Sequence, residues 1–191
     1  GQKIGDKVYA GFGPDKVNKS GKFEIYSELL KAKGFSPLPV YWPIPEHEAM
    51  SGTDLILTTY KVNVHVQSRT ANSRWLSEIY HDNPAWINPK TAKSRGIKDG
   101  DKIRVKSKVG EIVTTAHLTE GVHPKAVAIS NHVGHWAYGR YASGKAVTDV
   151  EGEKPTWDKH GVHPNWLIPN GGDPISGQMR WMDTVVTVEK A

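Results

Sequence analysis

The sequence predicts a mostly β fold, a small barrel or sandwich with short helices, and three observations point there. Residues 102–107 (KIRVKS) and 111–119 (EIVTTAHLT) alternate apolar and polar side chains on either side of Lys108-Val109-Gly110, the pattern of a β-hairpin. Short apolar stretches recur at 55–57 (LIL), 125–130 (KAVAIS) and 183–189 (DTVVTVE), separated by Gly, Pro and Asp-Gly turns. Residues 131–182 follow no period but are rich in Trp, His, Gly and Pro. Their aromatic content predicts a long ordered loop that binds something, since disordered segments lack aromatics.

Taken in order, residues 1–50 read as a lead-in and 51–191 as the main domain. Residues 22–26 (KFEIY) alternate like a strand, and 27–33 fit two helical turns ended by Gly34. Pro37, Pro39, Pro43 and Pro45 exclude regular helix or central strand there, so that stretch is expected to run extended with Tyr41 and Trp42 packed down. After residue 70 the period becomes helical, with Trp75, Leu76 and Ile79 on one face and Thr70 placed to cap. Asn88 is a good N-cap for 89–96 (PKTAKSRG), where Pro89 takes the position a helix tolerates best and Gly96 ends it. In the hairpin, Ile103, Val105, Ile112 and Val113 are the expected core positions, and Val185, Val186 and Val188 those of the last strand.

Composition narrows the chemistry. The 191 residues contain no Cys, which removes disulfides, thiolate metal ligands, iron–sulfur ligation and a Cys nucleophile from this chain. Net charge is +5, which favours anionic partners without choosing among them. No run approaches the roughly 18–20 apolar residues of a membrane span. The first residues, GQKIGDKVYAGFG, have no apolar signal region, so no export address is expected within this chain. Lys102, Arg104, Lys106 and Lys108 alternate as on a solvated strand face, and the aromatics cluster elsewhere. A nucleic-acid partner is therefore not expected.

The chain centres on residues 54–72, DLILTTYKVNVHVQSRTAN. A short apolar run leads directly into Thr58, Thr59, Tyr60, Lys61, Asn63, His65, Gln67, Ser68 and Arg69. Hydroxyls, amides and a cation straight after a buried strand suit an anionic, heteroatom-rich ligand. The same residues also fit a plain amphipathic strand with Val62, Val64 and Val66 inward. His132 with His135, and His160 with His163, have a spacing that can hold zinc on a helix, but they lie among Gly and Pro with no Cys to complete a tetrahedral set. No dinucleotide fingerprint, Walker A loop, nucleophile elbow or carboxylate pair is present, so no catalytic residue and no metal ligand is assigned.

The series 55–72 (LILTTYKVNVHVQSRTAN), 83–112 (NPAWINPKTAKSRGIKDGDKIRVKSKVGEI) and 176–189 resembles the C-terminal domain of the dimethyl sulfoxide reductase family of molybdopterin enzymes. The resemblance is nearest to large subunits that reduce polysulfide, thiosulfate, tetrathionate or arsenate, and the 132–144 insert leans toward arsenate or tetrathionate. It implies a six-stranded double-psi β-barrel, residues 1–50 leading in from a preceding domain, and bis-molybdopterin guanine dinucleotide carrying molybdenum or tungsten. It places cofactor contacts at Thr59, Tyr60, Lys61, Asn63, His65, Gln67, Ser68, Asn165 and Gln178. The metal's own ligand and the 4Fe-4S cysteines would belong to earlier domains absent here, so this chain alone is expected to be inactive. Implied partners are the remainder of the catalytic subunit and an iron–sulfur electron-transfer subunit. The implied location is a periplasmic or membrane-associated complex, with the cytoplasm left open. A non-catalytic structural or nucleotide-binding barrel is the alternative.

Overall fold

In the computed structural model the described residues are 2–4, 6–9, 23–71, 73–134 and 161–191. The chain divides into two compact units, Gly1–Ile44 and Pro45–Ala191. The first holds an antiparallel pair, β1 (Gln2–Ile4) and β2 (Lys7–Tyr9), and a short helix, α1 (Glu28–Ala32). The Ser27 hydroxyl caps α1 by accepting from the Leu30 N–H, and Gly34 closes it at φ +80°. Residues 23–26 form no strand, against expectation. Alternation over so few residues makes a strand only where a neighbour pairs with it. Tyr41 and Trp42 are 87% and 72% exposed, not packed down. Prolines at 37, 39, 43 and 45 remove the N–H groups that would tie this stretch to a surface.

The second unit opens with a short helix, α2 (Pro45–Glu48), and is built on a closed barrel. Its strands are β3 (Leu55–Thr58), β4 (Ala85–Ile87), β5 (Lys102–Lys106), β6 (Glu111–Leu118), β7 (Ala126–Ala128) and β8 (Thr184–Lys190). They close in the order β3-β7-β4-β6-β5-β8. β3 runs parallel to β7 and β4 parallel to β6, while all other neighbours are antiparallel. Exchanging the first three strands with the last three leaves this order unchanged. Two interlocked halves, each contributing one strand to each parallel pair, make a double-psi β-barrel. Closure leaves no unpaired edge.

The barrel core follows from the period of two. Leu57, Ile87, Ile103, Val127 and Val186 are fully buried along its inside. Val113 does not join them and is 45% exposed, because its neighbours Ile112 and Thr114 already point inward. Val185 is half-buried for the same reason. Helix α4 (Pro89–Ser94) starts where the sequence places it: the Asn88 side chain accepts from the Lys90 N–H, and Gly96 stands at φ +65° after its end. Lys102, Arg104 and Lys106 line the solvent side, where Arg104 lies 3.8 Å from both Glu111 and Glu189. No helix among the described residues is long and apolar enough to cross a membrane.

Helix α3 (Arg74–Ile79) departs from expectation. Trp75 and Ile79 are 74% and 70% exposed, while Ser77 is buried with its hydroxyl donating to the Ala71 carbonyl at 2.8 Å. The N-cap position is Ser73. Thr70 instead belongs to the preceding 3-10 turn Gln67–Thr70, where its hydroxyl oxygen accepts from the Val66 N–H at 2.9 Å.

Candidate functional site

β3 ends at Thr58, and the chain beyond it is a loop rather than the amphipathic strand that alternation also allowed. Val62 and Val64 are half-buried and Val66 is 53% exposed, so the three valines do not share one inward face. The loop is held by two aromatic or heteroaromatic side chains. Tyr60 is buried and stacks on Trp86, with ring centroids 4.0 Å apart and planes 12° from parallel. Its hydroxyl donates to the Pro84 carbonyl at 2.9 Å and lies 3.1 Å from the Tyr80 hydroxyl. Burial raises the Tyr60 pKa and keeps the phenol a donor. His65 is also buried, with Nδ1 3.0 Å from the Thr70 hydroxyl and Nε2 2.6 Å from the Tyr80 carbonyl. Nε2 therefore carries the proton, and Nδ1 accepts from Thr70. Of the predicted contacts, Tyr60 and His65 thus have their side chains committed within the protein.

The other predicted residues keep polar groups available. Lys61 is exposed, with Nζ 5.5 Å from the Trp181 ring centroid, which brings the first loop beside the segment that carries Gln178. Asn63 is exposed, and Thr59 and Ser68 are half-buried; the Thr59 hydroxyl donates a long hydrogen bond, 3.4 Å, to the Tyr60 carbonyl and keeps its acceptor capacity. Gln67 stands at φ +52°, rare for a residue with a side chain, and its Oε1 is buried without a hydrogen-bond partner among the described residues. Asn165 is exposed in the 3-10 turn Pro164–Leu167, whose Leu167 is fully buried in the core. Gln178 is exposed, and its carbonyl accepts from the Asp173 N–H at 2.7 Å.

The sequence marks 131–182 as a binding loop, most of which (135–160) lies outside the described residues, but it does not single out as cofactor contacts the residues that face the first loop from after β7. His132 is fully buried, 6.1 Å from His65 between ring centroids, and neither of its nitrogens has a hydrogen-bond partner among the described residues. Desolvation lowers its pKa, and repulsion from His65 when protonated and from Lys61 acts the same way, which favours the neutral imidazole. Asn131 next to it has a buried Oδ1 that likewise has no partner among the described residues. By name the sequence weighed His132 as half of a metal pair with His135, which lies outside the described residues, as does His160. Among the described residues no group of three or more His, Cys, Asp or Glu is placed to hold a metal ion.

The site therefore offers an exposed cation, exposed amides, and two buried amide oxygens beside a buried imidazole. The family model described as "Molydopterin dinucleotide binding domain" matches residues 55–184. The chain belongs to this family. As a molybdopterin dinucleotide-binding domain it is part of the dimethyl sulfoxide reductase family of molybdopterin oxidoreductases, whose cofactor is bis-molybdopterin guanine dinucleotide with molybdenum. The domain is 43% identical to the arsenate respiratory reductase molybdopterin-containing subunit of Shewanella sp. strain ANA-3, over 96% of this chain and 24% of that protein. It is 29% identical to the thiosulfate reductase molybdopterin-containing subunit of Salmonella typhimurium, over 83% of this chain and 19% of that protein. It thus spans a quarter or less of the length of these relatives. Acetylene hydratase from Pelobacter acetylenicus shares the fold, with a TM-score of 0.70 over 97% of this chain and 26% of that one at 22% identity.

The residues present fit such a cofactor. Its phosphates accept only, and Lys61, Asn63 and Asn165 can donate to them. Its pterin and guanine edges both donate and accept; Gln67 Oε1 and Asn131 Oδ1 can accept from them, and a neutral His132 offers one donor and one acceptor nitrogen.

Proposed function

We propose that this domain is the C-terminal cofactor-binding part of a molybdenum or tungsten oxidoreductase large subunit acting on an inorganic arsenic or sulfur oxyanion. When bound, the cofactor supplies two-electron redox chemistry at its metal. The chain's own work is to bind and orient it. Lys61 balances phosphate charge, while Asn63, Ser68, Asn165 and Gln178 donate hydrogen bonds and Thr59 accepts one. Gln67, Asn131 and His132 meet a heterocycle edge, and Tyr60 and His65 hold the loop in shape from beneath. The observation that carries this reading is the set of buried polar atoms on Gln67, Asn131 and His132 that have no partner among the described residues, beside the exposed donors of Lys61 and Asn63. Groups of that kind are stabilised only by a ligand or ordered water.

The arsenate assignment is supported by the 43% identity that runs over nearly the whole chain. Residues 1–50 are then the lead-in from a preceding domain, and 51–191 the binding domain. The rest of the catalytic subunit and an iron–sulfur electron-transfer subunit complete the enzyme, in a periplasmic or membrane-associated complex.

The test uses the full-length subunit. Pterin dinucleotide and metal released on denaturation are measured for wild type and for Asn63→Ala and Asn165→Ala. A retention loss of about tenfold per substitution, one hydrogen bond's worth, is expected. Wild-type protein free of pterin, or retention indifferent to both changes, refutes the cradle.

A further inference from the structure

Asn83 lies between Tyr80 and β4 and is fully buried. Its Nδ2 donates to the Ser130 carbonyl at 2.6 Å and to the Val162 carbonyl at 2.8 Å. Its Oδ1 accepts from the Val162 N–H at 2.7 Å. The side-chain amide thus pairs with Val162 through both a donor and an acceptor, as a neighbouring strand's backbone would. The same amide reaches the segment after β7 through Ser130. The next residue, Pro84, supplies the carbonyl that accepts from Tyr60. Three polar segments therefore converge on the Asn83-Pro84 dipeptide: the loop after β3, the segment after β7 that carries Asn131 and His132, and the segment that carries Asn165.

The glycines at this point require the convergence. Gly134 stands at φ +85°, and a Cβ there would lie 2.1 Å from the Val162 carbonyl carbon. Gly161 stands at φ +74°, and its Cβ would meet Val133 Cγ2 at 2.4 Å and Asn83 Oδ1 at 2.8 Å. Only residues without a side chain let 131–134 and 161–164 approach this closely. Beyond Val162, Leu167 is buried in the core, and the Trp166 carbonyl sits where a Cβ on Gly110 would be, 2.3 Å away. Asn165 is therefore held between two fixed points, Asn83 on one side and Leu167 on the other.

We propose that Asn83 is a positioning residue for the cofactor, fixing the segments of His132 and Asn165 against the loop after β3. The proposal rests on the cradle reading above. Asn83 does not touch the ligand and acts through backbone it holds. No substitute provides two donors and an acceptor in this geometry. Aspartate keeps the acceptor but sets a carboxylate against two carbonyl oxygens.

The experiment measures pterin dinucleotide per folded full-length subunit, its release rate, and the thermal midpoint. The variants are Asn83→Ala, Gly161→Ala and, as a control, Asn88→Ala. Asn88 is a buried asparagine of the same barrel that caps α4 and donates to the Val122 carbonyl at 2.9 Å. Asn83→Ala is expected to release cofactor about tenfold faster, while Asn88→Ala loses thermal stability and keeps wild-type retention. Gly161→Ala keeps the Asn83 side chain but drives a Cβ against its Oδ1 and against Val133, forcing the same segments apart, and is expected to match Asn83→Ala, with the double variant no worse than either. Folded Asn83→Ala with wild-type retention and a midpoint like that of Asn88→Ala overturns the proposal. If Asn83→Ala does not accumulate, folded Gly161→Ala with wild-type retention overturns it. Absence of pterin from the wild-type subunit overturns the cradle itself, a result separate from either variant's.

Discussion

The buried phenol of Tyr60 allows a quantitative test of what holds the cradle loop. A hydroxyl has one proton. Tyr60 gives its proton to the Pro84 carbonyl at 2.9 Å, so across the 3.1 Å contact it is Tyr80 that donates to the Tyr60 oxygen. The two hydroxyls are then unequal. Tyr60→Phe strands the Pro84 carbonyl and the Tyr80 hydroxyl together. Tyr80→Phe removes a single bond to an oxygen that still has its main partner. With about 1–1.5 kcal/mol for each bond and a further penalty for a stranded buried carbonyl, Tyr60→Phe is expected to cost about 2 kcal/mol. Tyr80→Phe, at a half-buried position where water can reach, is expected to cost below about 1 kcal/mol. The ring stack on Trp86, worth roughly 0.5–1.5 kcal/mol, survives both changes.

Urea unfolding reads these costs directly. With m near 2 kcal/mol per M, Tyr60→Phe shifts the midpoint down by about 1 M at unchanged slope. In the Tyr60→Phe background, Tyr80→Phe is expected to be neutral, because its partner is already gone. A Tyr80→Phe cost equal to that of Tyr60→Phe, or full additivity in the double variant, would refute the assignment of donor and acceptor.

Three further outcomes follow from the same geometry. The His132 pKa is depressed in the fold, so the unfolded chain binds its proton first. Its contribution is present above about pH 6.5 and is lost as pH falls through the lower folded value. His132→Asn should therefore flatten the fall in thermal midpoint as pH drops below about 6.5, and an unchanged slope would count against the buried neutral imidazole. Gly134→Ala should prevent folding or cost more than about 4 kcal/mol, since its Cβ meets backbone at 2.1 Å. Gly100→Ala, at φ +82° with nothing within 4 Å, should cost only the roughly 1–2 kcal/mol of a left-handed residue, and denaturation midpoints compare the two. Asn88→Ala should cost about 2 kcal/mol, combining a lost N-cap with a stranded Val122 carbonyl, as read by urea midpoint.

The barrel was legible where its signals are local. Residues 102–119 alternate because one face is inside, and Asn88, Pro89 and Gly96 mark the bounds of α4 by backbone chemistry alone. Legibility failed where orientation depends on surroundings. Trp75 and Ile79 share a helical face, but spacing does not say whether that face turns inward, and here Ser77 does. Thr70 has the chemistry of a cap, yet His65 and Val66 compete for its hydroxyl and hold it one turn early. The polar loop after β3 was visible as a departure, since donors so dense after a buried strand serve no core. Which of those donors face a ligand was not visible. Tyr60 and His65 look like contacts in the sequence and turn out to be braces, because their partners Pro84 and Tyr80 come from elsewhere in the chain.

Asn83 was illegible for a stronger form of the same reason, and that reason has a kinetic consequence. Its two carbonyl partners lie 47 and 79 residues along the chain. Loop-closure entropy grows with that separation, so these bonds are worth making only after nearer contacts have formed. The β5–β6 hairpin closes over a few residues and is the natural early element. The Asn83 bonds should then be absent from the folding transition state, with φ near zero. Asn83→Ala leaves buried carbonyls and an N–H unpaired, a loss of about 3 kcal/mol. At φ near zero the whole loss appears as faster unfolding, on the order of 100-fold, with the refolding rate unchanged. A chevron with a slowed folding limb and an unaltered unfolding limb would place Asn83 in the nucleus instead. The neck at Gly134 and Gly161 would then be where the barrel starts to fold, rather than where its cradle is finally drawn together.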